Sequence, residues 1–118
     1  MDPIEGILFQ NYLIFISRKP DIVAPGDKIT SCDTDGRYAQ RSGTSMAGPA
    51  VAGAIALIWN AVPKLKRNVD ATMELLIKTA KSISVLDVCS SSGVPNNVYG
   101  HGLIDVEKAV KEGIRIYK

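Results

Sequence analysis

Gly43-Thr44-Ser45-Met46-Ala47-Gly48-Pro49 runs directly into Ala50-Val51-Ala52-Gly53-Ala54-Ile55-Ala56-Leu57-Ile58-Trp59, and the reading of this passage decides the fold. From Ser45 to about Val62 the residues are apolar on every side, and the alanines among them are strong helix formers. A helix that is hydrophobic all round is a buried one, so the passage predicts a core helix. Pro49 falls in its first turn, where a missing N–H leaves no bond unmade. The length and the internal Gly and Pro residues argue against a membrane span. Ser45 then stands at the positive end of the helix, where unpaired N–H groups favour negative charge. A serine hydroxyl is a poor nucleophile until a base takes its proton and donors hold the oxyanion. The backbone N–H of Ser45 is one candidate donor. Gly43 permits close approach of a substrate backbone, and Met46 flanks the serine. Serine is also a preferred N-cap, so helix position alone leaves nucleophile and cap equally open.

Working outward, Ile22-Val23-Ala24 followed by Pro25-Gly26 reads as a short buried strand ended by a turn. Lys28 to Cys32 alternates and predicts a second strand; Asp33-Thr34-Asp35-Gly36 is turn chemistry, and Tyr38 to Arg41 a brief strand. Downstream, Pro63 to Asn68 is a loop. A helix over about Asp70 to Ser82 is predicted from Met73, Leu76, Ile77 and Ala80 at helical spacing. Residues 90–97 read as a polar loop. A last helix starts at Asp105 as N-cap, buries Val106, Ala109 and Val110, and stops at Gly113. Near the start, Ile7 to Ile16 is apolar but interrupted by Gln10 and Asn11. It is too short for a membrane span, and predicts one strand or a pair of short ones.

The whole chain sets the bounds. Its 118 residues make one domain at most. The 14 Lys and Arg are matched by 12 acidic residues, which gives no reason to expect nucleic acid. Lys64, Lys66 and Arg67 read as a solvated loop rather than a phosphate site. Cys32 and Cys89 leave one bridge and two lone buried thiols equally open. The single histidine, His101, has no zinc-ligand spacing to either cysteine. Asp2 and Glu5 precede the early apolar stretch and no small-residue cleavage site follows it, so no export signal is read there.

Three separated segments together resemble the subtilisin-like serine protease family, peptidase S8. Lys19-Pro20-Asp21-Ile22-Val23-Ala24-Pro25-Gly26 is similar to the family's strand and turn ahead of the serine loop. Gly43 to Pro49, with Val51-Ala52-Gly53-Ala54, resembles its nucleophile helix. Asn97-Val98-Tyr99-Gly100-His101-Gly102-Leu103-Ile104-Asp105 resembles its closing Gly-x-Gly segment before a C-terminal helix. The resemblance implies an α/β fold, the C-terminal portion of a three-layer subtilisin-like domain. It would have short, mainly parallel strands, a buried nucleophile helix and two further helices. Residues 1–16 would be a divergent N-terminal segment, 17–113 the partial peptidase domain and 114–118 a tail. Ser17-Arg18 runs almost directly into Lys19-Pro20, where relatives have a longer connection.

The implied activity is endopeptidase hydrolysis through an acyl-enzyme on Ser45, with Gly43 and Thr44 beside the substrate. In this family the chain order of the triad is Asp, His, Ser. Only 44 residues precede Ser45 and none is a histidine, so the general base and the Asp are absent from this chain. The 118 residues alone are therefore expected to be inactive. They would act either as part of a larger protease or by binding an N-terminal protease fragment; the other partner is a peptide or protein substrate. A remote alternative sets Ser45, Asp87 and His101 in the chain order of the α/β-hydrolases, although Gly43-x-Ser45-x-Ala47 lacks the final Gly of their elbow. The chemistry requires no cofactor. Calcium enters only through the resemblance: Asp21 matches a metal-adjacent position in some relatives, while Asp33 and Asp35 lack the later ligands of a calcium loop and read as a turn. Members of the family are commonly secreted, which leaves this chain's compartment open.

Overall fold

The apolar passage folds as expected into one long helix, α1 (Thr44–Ala61). The computed structural model describes residues 5–9, 12–16 and 19–117, the first two segments by backbone alone. In chain order, β1 (Glu5–Phe9) and β2 (Tyr12–Ile16) form a hairpin, the second of the two alternatives read there, one strand or a pair. A second hairpin joins β3 (Ile29–Cys32) to β4 (Tyr38–Arg41) and delivers the chain to α1. A 3-10 turn at Pro63–Leu65 leads to α2 (Val69–Thr79), then to a third hairpin, β5 (Val85–Val88) and β6 (Ser91–Gly93), and finally to α3 (Val106–Tyr117). The Ser17-Arg18 join lies outside the described residues.

One core holds the three helices together. Ile58, Val62, Leu65, Leu75, Leu76 and Ala109 are buried, with Ile22, Val51, Ile55, Trp59, Val110 and Ile114 packed against them. The loop read between α1 and α2 is thus anchored, because Leu65 is fully buried at its centre. Of the expected stripe, Leu76 and Ala80 are buried and Ile77 is half-buried, but Met73 is exposed; Thr72, Leu75 and Thr79 complete the buried face of α2. Two threonines bury because each hydroxyl finds a carbonyl one turn back: Thr72 Oγ1 donates to Asn68 O at 2.7 Å and Thr79 Oγ1 to Leu75 O at 2.7 Å. Asp105 caps α3 as expected, accepting from the Lys108 N–H at 2.9 Å. The helix continues past Gly113, however, so residues 114–117 belong to it. Gly113 packs directly on Leu75 and Val62 in the core, where a Cβ would lie 3.1 Å from each side chain. It serves close packing instead of ending the helix.

Two expectations need correction. The named strands pair antiparallel, each in its own two-stranded hairpin. Short connections can only return a chain antiparallel, whereas parallel pairing needs a long crossover. The parallel contact among the described residues has one: Val23 pairs with Leu103 across the intervening helices, and Leu103 pairs antiparallel with Lys81 on its other side. Gly100 and Gly102 have positive φ, and Cβ atoms there would come within 2.2 Å of Pro20 O and 2.1 Å of Lys81 O. The closing Gly-x-Gly therefore threads between two neighbouring backbones.

The second correction concerns α1. Only Ala54 and Ile58 of this helix are fully buried, while Ala52, Gly53 and Ala56 are exposed and Leu57 is 59% exposed. One side packs on α3 and the Pro63–Leu65 turn. The opposite apolar side has no cover among the described residues.

Candidate active site

The site is built from the hairpin that ends at Arg41 and the helix that begins at Thr44. Gly43 is the N-cap of α1, with φ 150° and no side-chain capping bond. Ser45 is the second residue of the helix and is exposed, so it does not serve as the cap. The amides of Met46 and Ala47 both turn back to the Gly43 carbonyl, at 3.0 and 3.3 Å. The N–H groups of Thr44 and Ser45 are left without a backbone acceptor among the described residues. These are the orphan donors of a helix start, and they concentrate positive potential beside the Ser45 hydroxyl.

No side chain among the described residues hydrogen-bonds Ser45. His101, half-buried between Gly100 and Gly102, donates its backbone N–H to Asp21 O at 2.8 Å. Asp87 is exposed in the β5–β6 hairpin, where its N–H donates to Ser92 Oγ. No hydrogen bond links Ser45, Asp87 and His101. The strand before Ser45 is also an exposed antiparallel edge, unlike the buried strand that feeds a hydrolase elbow.

Two of the three carboxylates considered for calcium, Asp21 and Asp33, are held by cations. Asp21 pairs with Lys19 at 2.6 Å. Asp33 pairs with Arg41 at 2.6 Å and caps Thr34; the hydrogen bond from Arg41 chiefly holds its carboxyl below the usual range. No group of three or more His, Cys, Asp or Glu side chains among the described residues gathers as a metal site. Cys32 and Cys89 are free, and both are exposed rather than buried, because each sits in a two-stranded hairpin with open faces. Lys64, Lys66 and Arg67 are exposed in their loop, as expected. A surface cavity of about 470 Å³ lies at the other end of α1, lined by Ala61, Val62, Pro63, Ile114 and Tyr117. No helix among the described residues is long and apolar enough to cross a membrane.

The subtilase family model matches residues 10–102. The chain belongs to the subtilase family. Bacillopeptidase F of Bacillus subtilis (strain 168) is 39% identical over 100 residues, which cover 81% of this chain and 7% of that protein. The PII-type proteinase of Lacticaseibacillus paracasei is 36% identical over 107 residues, covering 80% of this chain and 6% of its own. Among solved structures, the CspB protease of Clostridium perfringens superimposes with a TM-score of 0.64 at 30% identity, over 92% of this chain and 22% of that one. The α/β class and the family expectation hold. The chain spans less than a tenth of the length of these two curated relatives.

Proposed function

We propose that Ser45 is the nucleophile of a subtilisin-like endopeptidase whose Asp and His lie on polypeptide outside these 118 residues. The observation that carries this is an exposed serine on the first turn of α1 with its own N–H unbonded. Ser45 Oγ would attack the scissile carbonyl and its N–H would donate to the developing oxyanion. Gly43, with no side chain, would let the substrate backbone approach, and exposed Thr44 would line the same side. The substrate is a peptide or protein; side-chain preference belongs to walls that this chain does not supply.

The missing part, continuous with this chain or a separate N-terminal fragment, would cover the open side of α1 around Ala52, Gly53, Ala56 and Leu57. Alone, the chain would be inert, since loss of the base in subtilisin costs on the order of 10⁶-fold in turnover. The test is mass spectrometry after treatment with a fluorophosphonate. The 118 residues alone should give no adduct. Grafted in place of the matching segment of the CspB protease, they should give one adduct per chain that disappears in Ser45→Ala. An adduct that persists in Ser45→Ala, or none in the graft, would sink the assignment.

A further inference from the structure

The stretch that leads into Ser45 is tied down by side-chain chemistry fifteen residues away. Ser42 Oγ donates to Asp27 Oδ1 at 2.6 Å and at the same time accepts the Lys28 N–H at 2.8 Å. One residue further on, the Gly43 N–H donates to Gly26 O at 2.8 Å. The Gly43 carbonyl then receives the Met46 and Ala47 amides that open α1. These contacts form one continuous line from Asp27 through Ser42 and Gly43 to the helix start.

The geometry at both ends leaves little slack. A Cβ on Gly26 would lie 2.8 Å from Gly43 O and 3.1 Å from Ala47 Cβ, so the Pro25-Gly26 turn sits directly under the first turn of α1. Gly43 itself, at φ 150°, occupies a conformation open to glycine and strained for other residues. A glycine there is a swivel unless something fixes its neighbours. Ser42 is the neighbour on the upstream side, and its hydroxyl is used as donor and acceptor together. The bond to a carboxylate is of the stronger, charge-assisted kind.

We propose that Ser42 and Asp27 are positioning residues for Ser45: they latch the two ends of the β3–β4 hairpin and so fix the Gly43 peptide and the direction of the Ser45 N–H and Oγ. The role rests on the reading of Ser45 as nucleophile, while the latch itself is a matter of geometry that needs no activity to observe. Small errors matter at such a site, since a displacement of about 1 Å can cost on the order of 100-fold in rate.

The test uses the full 118-residue chain, labelled with 15N, in the parent and in Ser42→Ala, Ser42→Thr and Asp27→Ala. Amide exchange at Gly43 should become about tenfold faster or more in Ser42→Ala and Asp27→Ala, and the Ser45 amide cross-peak should shift. Core amides such as Ile58 and Leu76 should keep the parent rate. Ser42→Thr retains a hydroxyl and should restore both signals. Parent-like exchange at Gly43 in both alanine variants overturns the latch; so does equal loss in Ser42→Thr and Ser42→Ala. Faster exchange at Gly43 with an unmoved Ser45 cross-peak overturns the positioning role. A grafted parent that takes no fluorophosphonate sinks the nucleophile reading and the positioning role with it, and leaves the exchange data to judge the latch.

Discussion

Replacing Thr72 with Val tests whether a buried hydroxyl, rather than apolar area, joins α1 to α2. Thr72 is 2% exposed, and its Oγ1 donates to Asn68 O at 2.7 Å and accepts from Trp59 Nε1 at 2.9 Å. Valine keeps the branched shape, so no cavity opens, and the two residues have similar helix propensity. Asn68 O keeps a partner, because the Thr72 backbone N–H also donates to it at 3.1 Å. Loss of that first bond should therefore be cheap. The indole N–H is different: it is left unpaired against a buried methyl, at about 1–3 kcal/mol. Together the two losses should destabilise the chain by about 1.5–3 kcal/mol. Trp59 is the only tryptophan, so urea unfolding followed by its fluorescence reads the site directly. At a typical slope of about 1–3 kcal/mol per M, the midpoint should fall by roughly 1 M. A change below about 0.5 kcal/mol would refute the reasoning. Full additivity of Thr72→Val with Trp59→Phe would do the same, since bonded partners should couple.

Other expectations follow from the same contacts. Ile58→Ala should cost about 2–5 kcal/mol in thermal or urea melts, because Ile58 is fully buried, while Leu57→Ala on the uncovered side should cost under about 1 kcal/mol; equal costs would show that the open side is covered. Glu112 is held at about 2, below its ordinary value of 4.5, first by the hydrogen bond from Arg115 and then by that from Lys78. A lowered carboxyl stabilises the fold fully above the ordinary value and loses that contribution as pH falls towards 2. The gap in melting temperature between the parent and Glu112→Gln should thus close between about pH 4.5 and 2, and a gap constant over that range would reject the ion-pair account. His101→Ala should leave fluorophosphonate labelling of the grafted chain unchanged; lost labelling would revive the alternative triad.

What the sequence disclosed depended on how local the cause was. The α1 passage, the Asp105 cap and the turn at Asp33 to Gly36 each depend on neighbours within a few residues, and each is legible from composition and spacing. Asn96 was not. It reads as one polar residue in a polar loop, yet it is fully buried, donating to Ile83 O and Gly93 O and accepting from the Val98 and Tyr99 amides. Its burial depends on backbone brought in from both sides. The β5–β6 hairpin was missed for a related reason: Asp87, Cys89 and Ser90 all take positive φ without a glycine to announce it. At the candidate site, Ser45 is proposed from its motif and its place at the helix start, whereas the Ser42–Asp27 bond has no sequence signal, because it joins residues at the two ends of a hairpin. The uncovered side of α1 was misread because an all-apolar helix reports only that cover is wanted.

The pairing of Val23 with Leu103 has a consequence for synthesis. Its two members lie about eighty residues apart, with all of α1 and α2 between them. At a translation rate of about 5–20 residues per second, the first leaves the ribosome roughly 4–16 s before the second exists. Throughout that interval Val23, flanked by apolar Ile22 and Ala24, lacks its Leu103 partner, while the helices behind it form within about a microsecond once made. An unpaired apolar edge is a template for other chains. The nascent protein is therefore most vulnerable to aggregation just before its Gly-x-Gly segment emerges.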